Sequence, residues 1–354
     1  MLAHGWNAVS YQILNPGMRH WFAGAGDAVV GYVVAAGTRV VAGAPVAPAE
    51  RLAAAAGEFA ADARRAGERV VYFGAGHRLE RALAAAGAHA AVPLGAQPWW
   101  DPRAWDARRV RSLRAQLNRA RNKGVRVAEW PAARARAHPA LRAVLAAWLA
   151  GRGLPPLHFL VESETLDRLD DRRVFVAERG AGAGGPAGAV AFLVATPVPA
   201  RGAWLLEQWP RVPDAPNGTV ELLVDAAMRA LGASGARAVT MGLAPLSRRA
   251  APAAAASPPP AWLAAALAFA RLHGRRFYDF DGLDAFKAKF RPDRWEAISA
   301  IADAPRFPPR ALWAIAGAFS QGSPAALVGR AVAMAARAEA ARARRALARR
   351  AAAR

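Results

Sequence analysis

Lysine stands at only three positions in this chain, Lys123, Lys287 and Lys289, although Lys and Arg together number 48. Where positive charge alone suffices the chain uses arginine. The lysines therefore mark places where a compact ammonium, able to shed its proton, does what a permanently charged planar guanidinium does not. Two of them lie in FDGLDAFKAKFRPDRWE, residues 280–296, flanked by Phe286 and Phe290 and followed by Arg291 and Arg294. On a strand Lys287 and Lys289 would face opposite ways, and on a helix they would stand about 200° apart. They are thus not expected to share one ligand atom: one reaches inward and the other serves the surface. Phe286 and Phe290, at i and i+4, anchor the segment. The plainer alternative is an amphipathic terminal element with solvated lysines.

Four further clusters have types and spacing suited to chemistry. Glu207 and Arg211 bracket a turn, either as a surface pair or as functional groups, and Glu221 follows Thr219 at the start of a helical pattern. An acid there favours a first helical turn in any case; it is also placed to hold a cationic amino group or accept a proton. MGLAPLS, 241–247, reads as a strand ending in a Gly-Leu-Ala-Pro turn, and strand ends are where α/β folds present ligands. Ser247 has no partner base in view, so it is not expected to be a nucleophile. RRVRSLRAQLNRARNKGVRV, 108–127, holds eight basic residues and no acid. At helical spacing Arg111, Arg114, Asn118 and Arg121 share a face, either a solvated one or one whose guanidinium forks meet phosphates. Lys123-Gly124 is a basic last turn before a glycine cap.

Composition narrows the classes. A net charge of +22 and a pI near 11.7 predict polyanionic partners, nucleic acid or an anionic membrane surface. With no cysteine, thiolate metal sites, disulfides and a cysteine nucleophile are excluded. The seven histidines show no metal-binding spacing, and no P-loop occurs. No secretory leader and no apolar stretch of membrane-spanning length are read, so a cytoplasmic protein, docked at the inner face of the plasma membrane, is expected. RGAGAG, 179–184, matches the glycine-rich pyrophosphate loop of acyl-CoA enzymes on paper. It falls between two expected strands rather than before a helix, where backbone amides would meet the anion, and so reads as a hairpin loop.

The elements that must position these groups follow from periodicity. Strands are expected within 28–42, a helix from Pro48 to Ala66, a strand at 69–73, a helix at 78–86 and a strand at 89–94. After the basic helix come a strand at 125–130, a helix at 139–150, strands at 173–178, 188–195 and 202–209, a helix at 219–232, a strand at 237–243 and a helix at 261–273. APAAAASPPP, 251–260, is a low-complexity loop, and 330–354 an Ala/Arg-rich tail. The repeated order of strands, helix, strand, helix divides the chain into modules at 1–103 and 125–305, a connecting helix at 104–124 and a tail at 306–354. The fold class is mixed α+β.

LRAQLNRARNKGVRV resembles the linker helix of dual-GNAT, aminoacyl-tRNA-dependent transferases, and APNGTVELL, MGLAPLS and FDGLDAFKAKFRPDRWE are similar to the C-terminal catalytic region of phosphatidylglycerol lysyltransferases. The resemblance runs from about residue 20 to 305. It implies two tandem GNAT-like acyltransferase modules and an aminoacyltransferase that uses aminoacyl-tRNA as co-substrate, with no other cofactor and no metal, to modify a lipid or another hydroxyl- or amine-bearing acceptor. It further implies that Arg211, Lys287, Lys289 and Glu221 are catalytic and that Glu207, Gly242, Pro245, Ser247, Asp281 and Arg291 bind substrate. Arg111, Arg114, Asn118, Arg121 and Lys123 would hold tRNA. Two features depart from the family pattern: no flippase-type membrane helices precede the motifs, and Gln208 stands where an acid is expected three positions before Arg211. The competing readings are an acyl-CoA-dependent GNAT enzyme and a non-enzymatic RNA- or membrane-binding module.

Overall fold

A computed structural model describes residues 1–84, 87, 89–151, 157–162, 164–181, 187–250, 260–265, 279–320, 323–326, 329 and 333. All but the last residue of the expected loop at 251–260, most of the helix expected at 261–273 and all but one residue of the tail from Arg330 lie outside these.

The β-branched run near the N-terminus forms a meander of β1 (Arg19–Phe22), β2 (Val29–Ala35) and β3 (Thr38–Ala42). Its tight turn places Ala36 and Gly37 both at positive φ, 47° and 66°, the twist that two-residue hairpins favour. The next helix, α1 (Leu52–Arg65), starts four residues later than Pro48 suggests. Arg51 N–H donates to the Pro48 carbonyl, so residues 48–51 form a turn that precedes the helix. β4 (Arg69–Gly76), α2 (His77–Ala84) and β5 (Ala90–Trp100) complete the first half.

α3 (Arg111–Asn122) is the basic connecting helix. The second half comprises β6 (Val125–Trp130), α4 (Ala132–Ala137), α5 (Pro139–Ala150), β7 (Arg173–Arg179), β8 (Gly188–Val198) and β9 (Ala203–Gln208). After these follow α6 (Thr219–Ala233), β10 (Ala238–Thr240), β11 (Ala244–Pro245), α7 (Phe280–Lys289), β12 (Arg294–Ala302) and α8 (Pro309–Phe319). β7 and β8 pair antiparallel out to Arg179 and Gly188, so RGAGAGG joins two strands of a hairpin.

All the strands form one mixed sheet in the order β1-β2-β3-β4-β12-β5-β10-β9-β8-β7-β6, with β11 paired to β5. The halves interleave: β12, from the C-terminal part of the chain, lies between β4 and β5 of the first half, while β5 also pairs with β10 of the second. Helices cover both faces. α3 and α6 bury Leu113, Leu117, Leu223 and Met228 against Phe175, Leu193 and Leu206, and α5 buries Leu141 and Val144 against Val174 and Phe192 on the other side. In the first half Phe59 of α1 meets Val41 and Tyr72, and α8 packs its Ala314 and Ile315 over Val40 and Val71.

Each half has one parallel strand pair that splays at its C-terminal end. In the first half β3 and β4 stay in register to Ala42 opposite Phe73, after which Gly43 and Gly74 take φ of 73° and 81°. That opening is filled by the chain itself. Asn7 Nδ2 donates to the Gly74 carbonyl at 2.9 Å, and a Cβ on Gly43 would stand 2.9 Å from Asn7 Cγ. In the second half β9 and β10 part after Leu205 opposite Thr240. The expected strand 237–243 therefore ends early, because Gly242, at φ 70°, turns Met241–Leu243 out of the ladder.

Candidate active site

Where β9 and β10 part, Glu207 follows on one strand and Gly242, bonded to Lys287, on the other. On β9 the pairing with β8 skips from Leu206 opposite Ala195 to Gln208 opposite Val194, so Glu207 is the bulged residue. Such a bulge re-aims a side chain at the point where pairing ends. Glu207 Oε2 accepts from Thr196 Oγ1 at 2.7 Å and lies 3.4 Å from Arg172 Nη2, a pair almost wholly buried. Among the described residues buried Glu207 Oε1 has no hydrogen-bond partner, nor has Gln208 Oε1, whose amide nitrogen donates to the Glu162 carbonyl at 2.5 Å. Two adjacent acceptors therefore wait for a donor, since leaving buried polar atoms unpaired costs free energy.

Across the splay, α7 supplies both lysines. FDGLDAFKAK forms a helix because Asp279 caps it, accepting from Gly282 N–H at 2.8 Å. Lys287 turns inward: it is 3% exposed, and its Nζ donates to the carbonyls of Gly242 at 3.0 Å and Leu243 at 2.7 Å. Burial pushes its pKa down to about 7, with Asp284 acting weakly the other way. Lys289 is half-buried and pairs with Glu221 Oε1 at 2.6 Å, its ammonium 4.4 Å from the centre of the Phe286 ring. Glu221 stands in the first turn of α6. The two lysines thus have separate partners, Lys287 the strand exit after β10 and Lys289 the first turn of α6.

The remaining expected residues are distributed around this centre. Gly242 forms the strand exit and donates its N–H to Thr240 Oγ1 at 3.0 Å. Pro245 pairs with Gly95 in β11, and Ser247 Oγ accepts from Arg249 N–H. Asp281 sits in the first turn of α7, and Arg291, exposed and at φ 49°, closes that helix. Arg211 is exposed just past β9, its backbone bridging to Ala191.

On α3 the residues Arg111, Arg114, Asn118, Arg121 and Lys123 are all exposed, while Leu113, Leu117 and Ala120 face the core. Arg121 leans to 3.6 Å from Asp225, a buried carboxylate that also accepts from Trp105 Nε1 and Arg229. Helix α3 also touches the start of α6: a Cβ on Gly218 would lie 2.0 Å from the Gln116 carbonyl oxygen. The basic face is therefore rigidly tied to the helix that carries Glu221.

Sequence reasoning missed Arg172, Thr196 and the plug at Asn7. Arg172 sits in the charged run LDDRRVF, where nothing local distinguishes it from its exposed neighbours; only packing against Tyr11, 4.9 Å below its guanidinium, buries it. Among the described residues no group of His, Asp and Glu is arranged to hold a metal ion, and none of their helices is long and apolar enough to cross a membrane.

A mixed α+β fold with two parallel strand pairs in one sheet, a carboxylate and two lysines about the end of the second pair, and a basic helix fixed beside it define an enzyme of the acyl- or aminoacyl-transferring class. The chain belongs to the family of phosphatidylglycerol lysyltransferase C-terminal regions, whose model matches residues 1–301. Its fold is similar to that of the C-terminal domain of a putative lysylphosphatidylglycerol synthetase from Agrobacterium fabrum, at 23% identity and a TM-score of 0.74, covering 90% of this chain and 94% of that one. It is likewise similar to L-PGS from Bacillus licheniformis, at 22% identity and a TM-score of 0.72, covering 89% and 92%, and more distantly to FemX, at 8% identity and a TM-score of 0.52 over 87% and 97%. No curated protein matches it.

Proposed function

We propose that the protein transfers an aminoacyl group from aminoacyl-tRNA to the hydroxyl of a phosphatidylglycerol-like lipid or to another hydroxyl- or amine-bearing acceptor. The observation that carries this reading is the end of the β9–β10 pair, with two differently held lysines and acceptors that have no partner among the described residues, beside a cationic helix that has no carboxylate partner for Arg111, Arg114 or Lys123 among them. On this reading the halves 1–103 and 125–305 are two acyltransferase-like modules, the first closed by Asn7.

The reaction exchanges one ester for another. The acceptor oxygen attacks the aminoacyl carbonyl, an oxyanion develops, and the tRNA hydroxyl leaves with the acceptor's proton. Little driving force is needed, so the work lies in aligning two anionic substrates and holding the developing charge. Glu207 Oε1 and Gln208 Oε1 would receive the amino group of the transferred residue. Lys287, close to neutrality in its ionisation, holds the strand exit at Gly242 and Leu243, where the carbonyl would rest. Lys289 orients Glu221, and the exposed Arg211 would meet an anionic acceptor. The α3 arginines and Lys123 would take tRNA phosphates.

Incubation of the protein with a charged tRNA pool and a lipid extract, followed by mass spectrometry of lipids and soluble products, tests the proposal. Aminoacylated lipid that disappears on ribonuclease treatment is expected. Products formed from acyl-CoA with no dependence on tRNA would overturn it.

A further inference from the structure

Neighbouring residues of a regular strand point to opposite faces of the sheet. Glu207 and Gln208 do not. Gln208 lies opposite Val194, whose side chain packs with Leu141 and Val144 of α5, and Glu207 is hydrogen-bonded to Thr196, two residues further along β8 and on that same face. The bulge therefore turns a carboxylate and an amide, consecutive in the chain, to one side of the sheet. There Arg172, resting on the Tyr11 ring, stands against the carboxylate, and the Glu162 carbonyl receives the amide nitrogen.

The charge on this side is nearly balanced before any substrate arrives. Glu207, its side chain 7% exposed, is matched by Arg172, 3% exposed. Glu162 turns its carboxylate to His158, with both oxygens 3.2 Å from Nδ1, and offers Gln208 only its backbone carbonyl. Asp167 and Asp170 are exposed and paired with Arg142 and Arg136, and Glu164 and Asp171 are exposed as well. Of the buried atoms that lack a partner among the described residues, Glu207 Oε1 belongs to a carboxylate already neutralised and Gln208 Oε1 to a neutral amide. Thr165 Oγ1 and the Gln12 amide, in the segments packed beside Arg172, are neutral too, and Arg172 Nε is a donor.

An ammonium brings three N–H groups, enough to satisfy both β9 acceptors at once. With it in place, Arg172 and the ammonium together exceed Glu207 by one positive charge. A second ammonium or a guanidinium on the transferred group would then be buried with no carboxylate to meet it, which is the costly way to bury a charge. We infer that the aminoacyl group this chain transfers carries one cationic group only, its α-amino group, held by Glu207 and Gln208, and that the neutral amide of Gln208 sets this limit. Lysine, the amino acid in the family's description, is thereby excluded along with arginine. This assignment rests on the transfer reaction proposed above and adds to it the class of amino acid.

One tRNA body, charged chemically in turn with labelled alanine, serine, lysine and arginine, separates the amino acid from the identity of its tRNA. Initial rates of transfer to the lipid extract should be roughly tenfold or more higher for the better of alanine and serine than for lysine or arginine. Gln208→Glu supplies the missing carboxylate and should raise the lysine-to-alanine ratio by about tenfold. The ratio is read within one preparation, so the share of folded protein cancels. Gln208→Ala removes an acceptor without adding charge, and should slow alanine while leaving lysine no faster. A wild-type rate for lysine or arginine that equals or exceeds those for alanine and serine overturns the assignment and leaves the transfer reaction standing, and a ratio that Gln208→Glu fails to move does the same. Transfer from none of the four overturns the transfer reaction itself, and the assignment with it.

Discussion

At the scale of single residues, Lys287 carries the sharpest consequence. Its pKa lies near 7 in the folded chain against an ordinary value of 10.5. Below pH 7 both folded and unfolded states hold the proton, and the cost of burying the ammonium, on the order of 5 kcal/mol, is fully present. Between pH 7 and 10.5 the unfolded chain holds the proton while the folded chain has released it, so stability rises with pH across that window. Urea unfolding of the wild type and of Lys287→Met should therefore diverge, the wild type gaining about 3 kcal/mol relative to the variant between pH 6 and 9; parallel curves would show that Lys287 stays charged. Lys287→Arg places a permanently charged, larger group in the same pocket, and a loss of at least tenfold in transfer rate is expected. Lys289 differs in kind: its pair with Glu221 is partly exposed. Lys289→Gln and Glu221→Gln should each cost activity, with the double variant no worse than the poorer single one if the two act as a unit. The scarcity of lysine is enough to single out these positions, and their two-residue spacing is enough to send them in different directions. Which one turns inward is not legible in the sequence, because it depends on Gly242 and Leu243, more than forty residues away along the chain.

At the scale of elements, the helices and most strands are readable because their apolar periodicity and their breakers agree. What cannot be read is where strands stop pairing. RAVTMGL looks like one strand of seven residues, yet only Ala238–Thr240 pair, since Gly242 at positive φ turns the chain out of the ladder before Ala244 and Pro245 pair with β5. The bulge at Glu207 is equally silent in sequence, being a mismatch between two strands rather than a property of either. Gly218 is the element-level counterpart of these: it caps α6 at φ 92° and lets the Gln116 carbonyl of α3 come within reach. Gly218→Ala meets both the left-handed backbone cost and a clash with main chain that has no rotamer to yield. A destabilisation of about 3 kcal/mol is expected, seen as a lower urea midpoint, together with weaker RNA binding as α3 shifts against α6. Unchanged stability would mean that the two helices are not pinned there.

At the scale of the whole molecule, charge and topology act together. The interleaving of β12 between β4 and β5 makes the sheet continuous, so the basic helix and the end of the β9–β10 pair are held on one frame. No sequence pattern announces such an exchange, because β12 has the same apolar alternation wherever it is inserted. The net charge of +22 is legible at once but does not say which cations meet RNA. On the proposed function α3 supplies them: there Arg111, Arg114, Arg119 and Lys123 are exposed and have no carboxylate within ion-pair distance among the described residues, whereas Arg108 is tied to Asp106 and Arg121 leans toward Asp225. Counterion release then gives a number. Each phosphate neutralised contributes roughly 0.7–0.9 to the slope of log affinity against log salt. Replacing those four residues by glutamine should therefore flatten the salt dependence of tRNA binding by about 3, measured by filter binding between roughly 50 and 300 mM salt. A slope that barely changes would move the RNA off α3 and onto another basic surface, and with it the assignment of the neighbouring splay as the place where the tRNA ester is presented.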